Sequence, residues 1–452
     1  MTNNSQPTLG TLQCIMILVG GMVGSAIFSL SGVTYMTAGP ATILSWVIGG
    51  IILLLYGLQT AELCTIYPRS GGIFVFPYEA LAQKEAGKAA WGWASAWSYL
   101  NVCIFGAAFS ATYIAQYLGI AFPFFSNIVL WAVIWMVLCG VLCLFNVAVA
   151  GTVNLVLVCG LIVTMLIYAF AGFGSFNIEN FAPFFTQGTG GAFGFVGQIP
   201  VAMLAFGAIV AIAFMVSQVK NPKKTVPQSM IISMIITIIL YVLVLVGTIG
   251  MLAAQFFVEN PGMAYVPLYA AAWNVLYNLP WLPAVISIAA TLALTTTMLV
   301  LMMNAGWTVQ AAAEYGMLPK ALGKINPKTG TPINALITCT VIALVFCLTP
   351  DFTGMLINTG AIANALCVVA IALSLLYARK QHAYVPGEFR LGGGKLWPIV
   401  TIILVLFFII PGVFQSWDYW LYYIIWMAVG FAVMLIYRAI AKNKEKGASI
   451  SE

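Results

Sequence analysis

The feature that most constrains this fold is the alternation of long apolar stretches with short connections that carry the charge. Of the 452 residues, 62% are hydrophobic and only 6% are charged, whereas soluble domains carry about 25% charged residues. About a dozen stretches are apolar, and most reach the roughly 20 residues that a helix needs to cross a bilayer. Since backbone groups in lipid must bond internally, the sequence predicts an all-α membrane protein.

The predicted transmembrane helices number twelve. They cover residues 9–37, 40–66, 91–118, 125–148, 150–172, 194–218, 226–252, 281–312, 333–349, 353–377, 396–415 and 419–439. The segment 262–279 is moderately apolar and rich in aromatic residues. We interpret it as an outer helix lying over the eighth span. A thirteenth span is the alternative, and it would place Glu259 and the later connections on conflicting sides.

Basic residues occur only in connections that follow even-numbered spans and at the C-terminus, which follows the twelfth span. All 17 lysines and arginines lie there, namely Arg69, Lys84, Lys88, Lys220, Lys223, Lys224, Lys320, Lys324, Lys328, Arg379, Lys380, Arg390, Lys395, Arg438, Lys442, Lys444 and Lys446. In the connections that follow odd-numbered spans, the charged residues are all acidic: Glu179, Glu259, Asp351 and Asp418. Because basic residues stay on the cytoplasmic side, we expect both termini in the cytoplasm and the protein in the plasma membrane, which in a bacterium is the inner membrane.

The net charge of +6 does not indicate nucleic-acid binding, because the basic residues are spread over short segments that face anionic lipid. The start MTNNSQPTLG has no basic n-region, so the first span is expected to act as an uncleaved insertion signal. The nine cysteines lie in or beside apolar stretches without CxxC spacing. We therefore expect free thiols, with no metal and no cofactor.

Two spans contain glycine-rich interruptions at corresponding places, in the first and the sixth position of two groups of five. They are residues 20–28 (GGMVGSAIF) and 206–210 (FGAIV). Matching interruptions in two halves indicate an inverted repeat with a binding site near the bilayer midplane. Close packing of helices through small residues is the alternative interpretation of each cluster.

The chain resembles the amino acid–polyamine–organocation (APC) superfamily of transporters in four stretches. They are GSAIF at 24–28, with Ala26 where a third glycine is usual; AEL at 61–63 followed by PRSGG at 68–72; VKNPKKTVP at 219–227; and AAEYGMLP at 312–319 followed by GTP at 330–332. The resemblance implies a single transporter domain (1–452) with a LeuT-like fold. Two inverted five-helix repeats (9–172 and 194–377), with broken helices 1 and 6, would precede two peripheral helices (396–439).

The resemblance also implies alternating access for amino acids or amines. The chain is similar to bacterial amino acid and amine antiporters and to light-chain-type exchangers. In light-chain-type exchangers, a cysteine in the loop after the third span forms a disulfide with a separate heavy-chain protein. The corresponding loop here (121–127) contains no cysteine. We therefore expect no disulfide-linked heavy chain, a monomer or homodimer, and exchange of substrates.

The expected substrate site uses backbone groups, because an unwound helix end can receive a charged group without a charged side chain. Backbone N–H groups of Ser25, Ala26 and Ile27 would bind a carboxylate. Carbonyl groups of Met22, Val23, Phe206 and Ala208 would bind an ammonium, next to the small residues Gly24 and Gly207. The resemblance to the APC superfamily implies that Phe206 closes over the substrate. The alternative is that Phe206 is an ordinary phenylalanine of the core or of the lipid-facing surface. The side-chain candidates are Asn101, Cys103, Ile104, Val210, Leu301, Asn304 and Asn358.

Apart from Arg438 at the cytoplasmic end of the twelfth span, the spans lack Lys, Arg, His and Asp, and the region 152–161 of the fifth span lacks the lysine of proton-coupled relatives. The substrate is therefore expected to be net neutral. Glu62 is the one intramembrane carboxylate and a candidate for proton coupling, against a structural role beside the loop that follows it. Thr295, Thr296 and Thr297 leave sodium coupling open. An intramembrane enzyme would need a base, nucleophile or metal, and a channel would need a polar stripe; neither pattern is present.

Overall fold

The computed structural model describes residues 9–24, 26–69, 71–145, 147–349, 352–415 and 417–450. Over these ranges the chain forms helices, short connections and one parallel backbone bridge between Leu9 and Val219. The α-helices are α1 (Thr11–Met22), α2 (Ser31–Ala38), α3 (Thr42–Ile66), α4 (Gly72–Ala80), α5 (Glu85–Ala121), α6 (Ile128–Cys143), α7 (Val147–Phe173), α8 (Gly194–Leu204), α9 (Ala211–Phe214), α10 (Pro222–Met251), α11 (Ala254–Glu259), α12 (Pro267–Val275), α13 (Leu282–Glu314), α14 (Ile333–Cys347), α15 (Thr353–Gln381), α16 (Leu396–Gln415) and α17 (Trp417–Ile450).

Seven helical stretches of the described chain are long and apolar enough to cross a membrane. One of them, Thr11–Ile66, contains α1, α2 and α3, and Gly191–Phe214 contains α8 and α9. Four shorter apolar helices lie in α6, α7, α14 and α16. The prediction of an all-α membrane protein is confirmed, while the count of twelve spans stays a prediction.

Two connections contain short helices. The segment 262–279 is a 3₁₀ turn followed by α12, whose nine residues are too few to cross a bilayer; α12 packs on α13. The loop after α3 contains α4, a buried helix that the sequence analysis did not predict. Gly71 (φ 110°) and Gly72 (φ 34°) turn the chain into α4, which is possible because glycine adopts positive φ without steric cost.

Helix α5 lies at the centre of the molecule. It packs on α13, α15, α4, α6 and α14, while α10 packs on α1, α3 and α7. Helices α16 and α17 lie at the edge, where many large apolar side chains, such as Phe407, Ile424 and Leu435, are more than half exposed. Such a surface suits contact with lipid.

Both glycine-rich interruptions break the helix in which they lie. In the first, α1 ends at Met22, and a π-helical turn (Ala26–Leu30) leads into α2. In the second, α8 ends at Leu204, and a 3₁₀ turn (Gly207–Val210) leads into α9. Turns of these kinds inside a longer helix often mark functional sites.

Candidate functional site

The two broken helices meet at a small cavity, the inner cavity, of about 60 Å³. It is enclosed by the two breaks together with α5, α13 and α15. Its lining residues are Gly21, Met22, Ala26, Leu30, Tyr99, Val102, Phe105, Gly106, Phe109, Leu204, Gly207, Ala208, Thr297, Leu301, Leu356, Ile357 and Gly360. None of these side chains carries a charge.

Five of the predicted site residues line the inner cavity: Met22, Ala26, Gly207, Ala208 and Leu301. The first four come from the two breaks, and Leu301 comes from α13. A carbon added at Gly106 would lie 2.9 Å from Leu301 Cδ1, so this glycine preserves space in the cavity. The sequence analysis therefore identified backbone positions at the breaks and one side-chain position across from them.

Four further predicted residues of the breaks, Val23, Gly24, Ile27 and Val210, are buried beside the cavity without lining it. Ser25 lies outside the described residues. On α5, Asn101, Cys103 and Ile104 are buried but do not line the cavity, because the face of the helix that does so carries Tyr99, Val102, Phe105, Gly106 and Phe109. That face repeats at helical spacing, as every face of a helix does, so the spacing alone did not distinguish it from the other faces of α5.

Phe206 is buried in an aromatic cluster and does not line the inner cavity. Its ring centroid lies 5.2 Å from that of Tyr241 and 6.3 Å from that of Trp46. In this conformation it corresponds to the core phenylalanine that was the alternative interpretation. A role in closing over the substrate stays a prediction.

Tyr241 of α10 joins the two breaks and was not identified from the sequence. Its hydroxyl donates to the carbonyl of Met22 and lies 3.2 Å from that of Ala205. The Met22 carbonyl also accepts from the backbone N–H of Gly24 at 2.9 Å, so groups at the end of α1 are satisfied both locally and from α10. The Met22 carbonyl, predicted to bind an ammonium, is thus occupied by a phenol here.

Asn304 and Asn364 lie close to the cavity lining. Asn304 Nδ2 donates to the hydroxyl of Tyr99 over 3.1 Å. Asn364 has no hydrogen-bond partner within the described chain for either amide atom, and its Oδ1 is 3.6 Å from the position of a carbon added at Gly207. A buried amide without partners is unusual, and Asn364 was not predicted.

Helix α13 approaches the first break closely. Thr296 Oγ1 lies 3.3 Å from the carbonyl oxygen of Gly20 and 2.8 Å from that of Ala293. Thr297 Oγ1 lies 3.4 Å from the carbonyl oxygen of Gly21. Thr295 faces elsewhere, since its Oγ1 accepts from Trp135 Nε1 at 2.7 Å. Thr296 and Thr297 of α13 therefore each place a hydroxyl next to a carbonyl oxygen of the first broken helix.

Glu62 is buried in an ion pair with Arg379 of α15, and their side chains are 3% and 7% exposed. Arg379 Nε and Nη2 donate to the carboxylate at 2.7 and 2.6 Å. The carboxylate also accepts from the backbone N–H of Leu391 at 2.8 Å. This fully bonded arrangement favours the structural interpretation of Glu62 over proton coupling.

A larger cavity, the outer cavity, has a volume of about 290 Å³ and shares Ile357 with the inner one. The predicted residue Asn358 lies here rather than in the inner cavity. Burial raises the pKa of the Tyr265 phenol in its lining above the ordinary value of tyrosine, and nearby Tyr419 adds to the rise. The full lining comprises Val33, Thr37, Gly197, Gln198, Pro200, Val201, Tyr265, Gly354, Ile357, Asn358, Ala361, Ile362, Ile409, Tyr419 and Trp420.

The other end of the broken helices is closed by backbone contacts. Leu9 N donates to the carbonyl of Gln218 at 3.0 Å, and Lys220 N donates to the carbonyl of Leu9 at 2.8 Å. Ser229 Oγ lies 3.4 Å from the carbonyl oxygen of Thr11. Within the described residues, no group of three or more His, Cys, Asp or Glu side chains is placed to hold a metal ion.

Comparison with known proteins gives consistent matches over almost the whole chain. A family model described as amino acid permease matches residues 9–432. Three relatives from Bacillus subtilis (strain 168) are similar. The branched-chain amino acid permease BcaP is 26% identical over 95% of this chain and 92% of its own. The methylthioribose transporter is 27% identical over 95% and 93%, and the aspartate-proton symporter is 27% identical over 98% and 85%.

Proposed function

Because the chain belongs to the amino acid permease family of the APC superfamily, we propose that it moves a net-neutral amino acid or related amine across the plasma membrane by exchange. Members of this family are transporters and not enzymes. The observation that carries the proposal is the uncharged inner cavity between the two broken helices. A free amino acid has one positive and one negative group, so a site for it needs no net charge.

The proposed architecture has twelve spans, with both termini in the cytoplasm. Residues 9–172 and 194–377 form two inverted five-helix repeats of the LeuT type, and 396–439 form two peripheral helices. Two broken helices in corresponding positions support this arrangement, as does the position of α16 and α17 at the edge. The protein acts as a monomer or homodimer in the bilayer, without a disulfide-linked heavy chain.

The substrate's polar head is held at the breaks. N–H groups at Ala26 and Ile27 lie at the start of a helical segment, where the backbone dipole favours a carboxylate. The carbonyls at Val23, Phe206 and Ala208 receive the ammonium. The side chain of the substrate faces the apolar surface formed by Val102, Phe105, Phe109, Leu301 and Leu356, which supports an aliphatic side chain. The name of the relative BcaP, a branched-chain amino acid permease, agrees with this choice.

Exchange is tested in liposomes loaded with L-leucine. External radiolabelled L-leucine should enter rapidly only when the lumen contains unlabelled leucine, without a pH or sodium gradient. Ala26→Leu should abolish this exchange, because the added side chain fills the space between the breaks, while leaving most of the protein folded. Normal leucine exchange in a folded Ala26→Leu variant would remove the first break from the site.

Sodium-coupled uptake is the second candidate function. The hydroxyl groups of Thr296 and Thr297 lie next to the carbonyl oxygens of Gly20 and Gly21, and backbone carbonyls at broken helices are ligands for Na⁺ in transporters of this architecture. Replacing external sodium by choline separates the two candidates. Exchange that persists unchanged in choline excludes sodium coupling. Loss of uptake both in choline and in the Thr297→Val variant would instead support sodium-coupled uptake and contradict the exchange proposal.

A further inference from the structure

We propose that the connection between α15 and α16 binds the phosphate of one anionic phospholipid, with an acyl chain of that lipid lying along α16. This connection, residues 382–395, is called the strap. It joins two apolar helical stretches, because Gly354–Gln381 ends and Leu396–Ile410 begins beside it. The strap therefore lies at the level of the lipid headgroups. Such a site is independent of the substrate that the protein carries.

The strap is held in place on α3 and α15. Leu391 N donates to Glu62 Oε2 at 2.8 Å, and Arg379 Nη2 donates to the carbonyl of Leu391 at 2.7 Å. Within the strap, Glu388 Oε2 lies 3.3 Å from His382 Nε2. The carboxylates of Glu62 and Glu388 therefore already have partners within the protein.

Three exposed cations at the strap have no acidic partner. Lys380, Arg390 and Lys395 form no ion pair within the described part of the chain. Lys380 Nζ lies 4.9 Å from the ring centroid of Tyr377, and Arg390 Cζ lies 5.5 Å from that of Tyr384. Each ring attracts its cation and leaves the N–H groups of that cation available to an anion. A phosphate fits these donors, because charge-assisted hydrogen bonds from arginine and lysine to phosphate are strong.

An exposed apolar track begins directly after the last of these cations. Leu396, Ile399, Ile403 and Phe407 of α16 are 56%, 44%, 60% and 61% exposed. Their spacing of three or four residues places them on one face of the helix. A face that runs from Lys395 into the bilayer suits an acyl chain joined to a headgroup. A soluble phosphate would make no use of this face, so the track favours a phospholipid as the ligand.

The charge of the inner leaflet agrees with this choice. The sorting of basic residues places the strap on the proposed cytoplasmic side, where the membrane surface carries anionic lipids. A bound anionic headgroup would reduce the repulsion among Lys380, Arg390 and Lys395. Because Leu391 of the strap also bonds to Glu62, the lipid should stabilise the contact between α3 and α15 as well.

The first test measures binding of radiolabelled phosphatidylglycerol to the purified full-length protein in a neutral detergent. Unlabelled phosphatidylcholine should not compete. Replacing Lys380, Arg390 and Lys395 together by glutamine should weaken the binding about fivefold for each charge removed. The matched control replaces Lys320, Lys324 and Lys328, three exposed lysines of another basic connection, by glutamine. It removes the same charge and should leave the binding unchanged.

The second test distinguishes a lipid from a free anion by thermal unfolding. Phosphatidylglycerol should raise the melting temperature of the wild-type protein but not that of the strap variant, and inorganic phosphate should change neither. Ile403→Ser, on the apolar track, should weaken the binding of phosphatidylglycerol. Unchanged binding in a folded strap variant, or equal loss in the strap variant and its control, overturns the site. Stabilisation by inorganic phosphate alone overturns the lipid as its ligand.

Discussion

Gly24 is the residue with the least space around it at the first break. A carbon added there would lie 1.5 Å from Thr297 Oγ1 and 2.9 Å from the carbonyl oxygen of Ala293. Gly24→Ala should therefore push α13 away from the break, destabilise the protein by about 1–3 kcal/mol and reduce transport. Thermal unfolding and leucine exchange on the same preparation measure both effects.

Gly160→Ala is the matched control, because a carbon added at Gly160 of α7 meets nothing within 4 Å and alanine favours helices. It should leave the melting temperature unchanged or slightly higher. Adding Thr297→Ala to Gly24→Ala removes the clashing hydroxyl and should recover part of the stability. Equal melting temperatures for Gly24→Ala and Gly160→Ala would refute the close approach of α13 to the first break.

Glu62 is expected to stabilise the fold rather than to carry protons. Glu62→Gln leaves Arg379 buried without a counter-charge, which typically costs about 3–5 kcal/mol. The melting temperature should fall, while exchange per folded molecule keeps its independence of pH gradients. Replacing both residues, as Glu62→Gln with Arg379→Gln, should recover part of the loss. Uptake that needs an inward proton gradient and disappears in a stable Glu62→Gln variant would reassign Glu62 to coupling.

At the scale of elements, α17 is attached to α5 by indole groups. Trp97 Nε1 donates to the carbonyl of Trp426 at 2.7 Å, and Trp426 Nε1 donates to that of Trp97 at 2.9 Å. Their rings stack with centroids 5.0 Å apart, and Trp93 Nε1 donates to the carbonyl of Gly430 at 2.9 Å. In lipid the hydrophobic effect does not hold helices together, so such hydrogen bonds and contacts fix α17.

Trp97→Phe should loosen this attachment and lower the free energy of unfolding by about 1 kcal/mol, the usual net value of a hydrogen bond. Because Tyr419 and Trp420 of α17 line the outer cavity, which shares Ile357 with the inner one, the KM for leucine exchange should rise as well. Trp281→Phe, at a tryptophan that is 51% exposed, is the control. A Trp97→Phe variant that matches this control in both melting temperature and KM would show that the indole contacts do not position α17.

At the scale of the whole molecule, the sorting of charge predicts topology. Single cysteines replacing Glu179 or Asp418 should react with a membrane-impermeant maleimide added outside intact cells. Cysteines replacing Lys224 or Lys324 should react only after permeabilisation. All four positions are exposed in the structure, and Cys159→Ser removes the one exposed native thiol of the described chain. External labelling at Lys224 or Lys324 would contradict the twelve-span topology.

The sequence alone indicates the all-α membrane character and the positions of the breaks, because lipid requires long apolar helices and because glycine clusters interrupt them. It also indicates Met22, Ala26, Gly207 and Ala208, whose backbone positions follow from the breaks. The tertiary structure was needed to show which face of α5 lines the cavity, that Arg379 neutralises Glu62, and that Tyr241 bridges both breaks. Each depends on contacts between residues far apart in the chain, and uniformly apolar helices contain little periodicity from which helix rotation can be predicted.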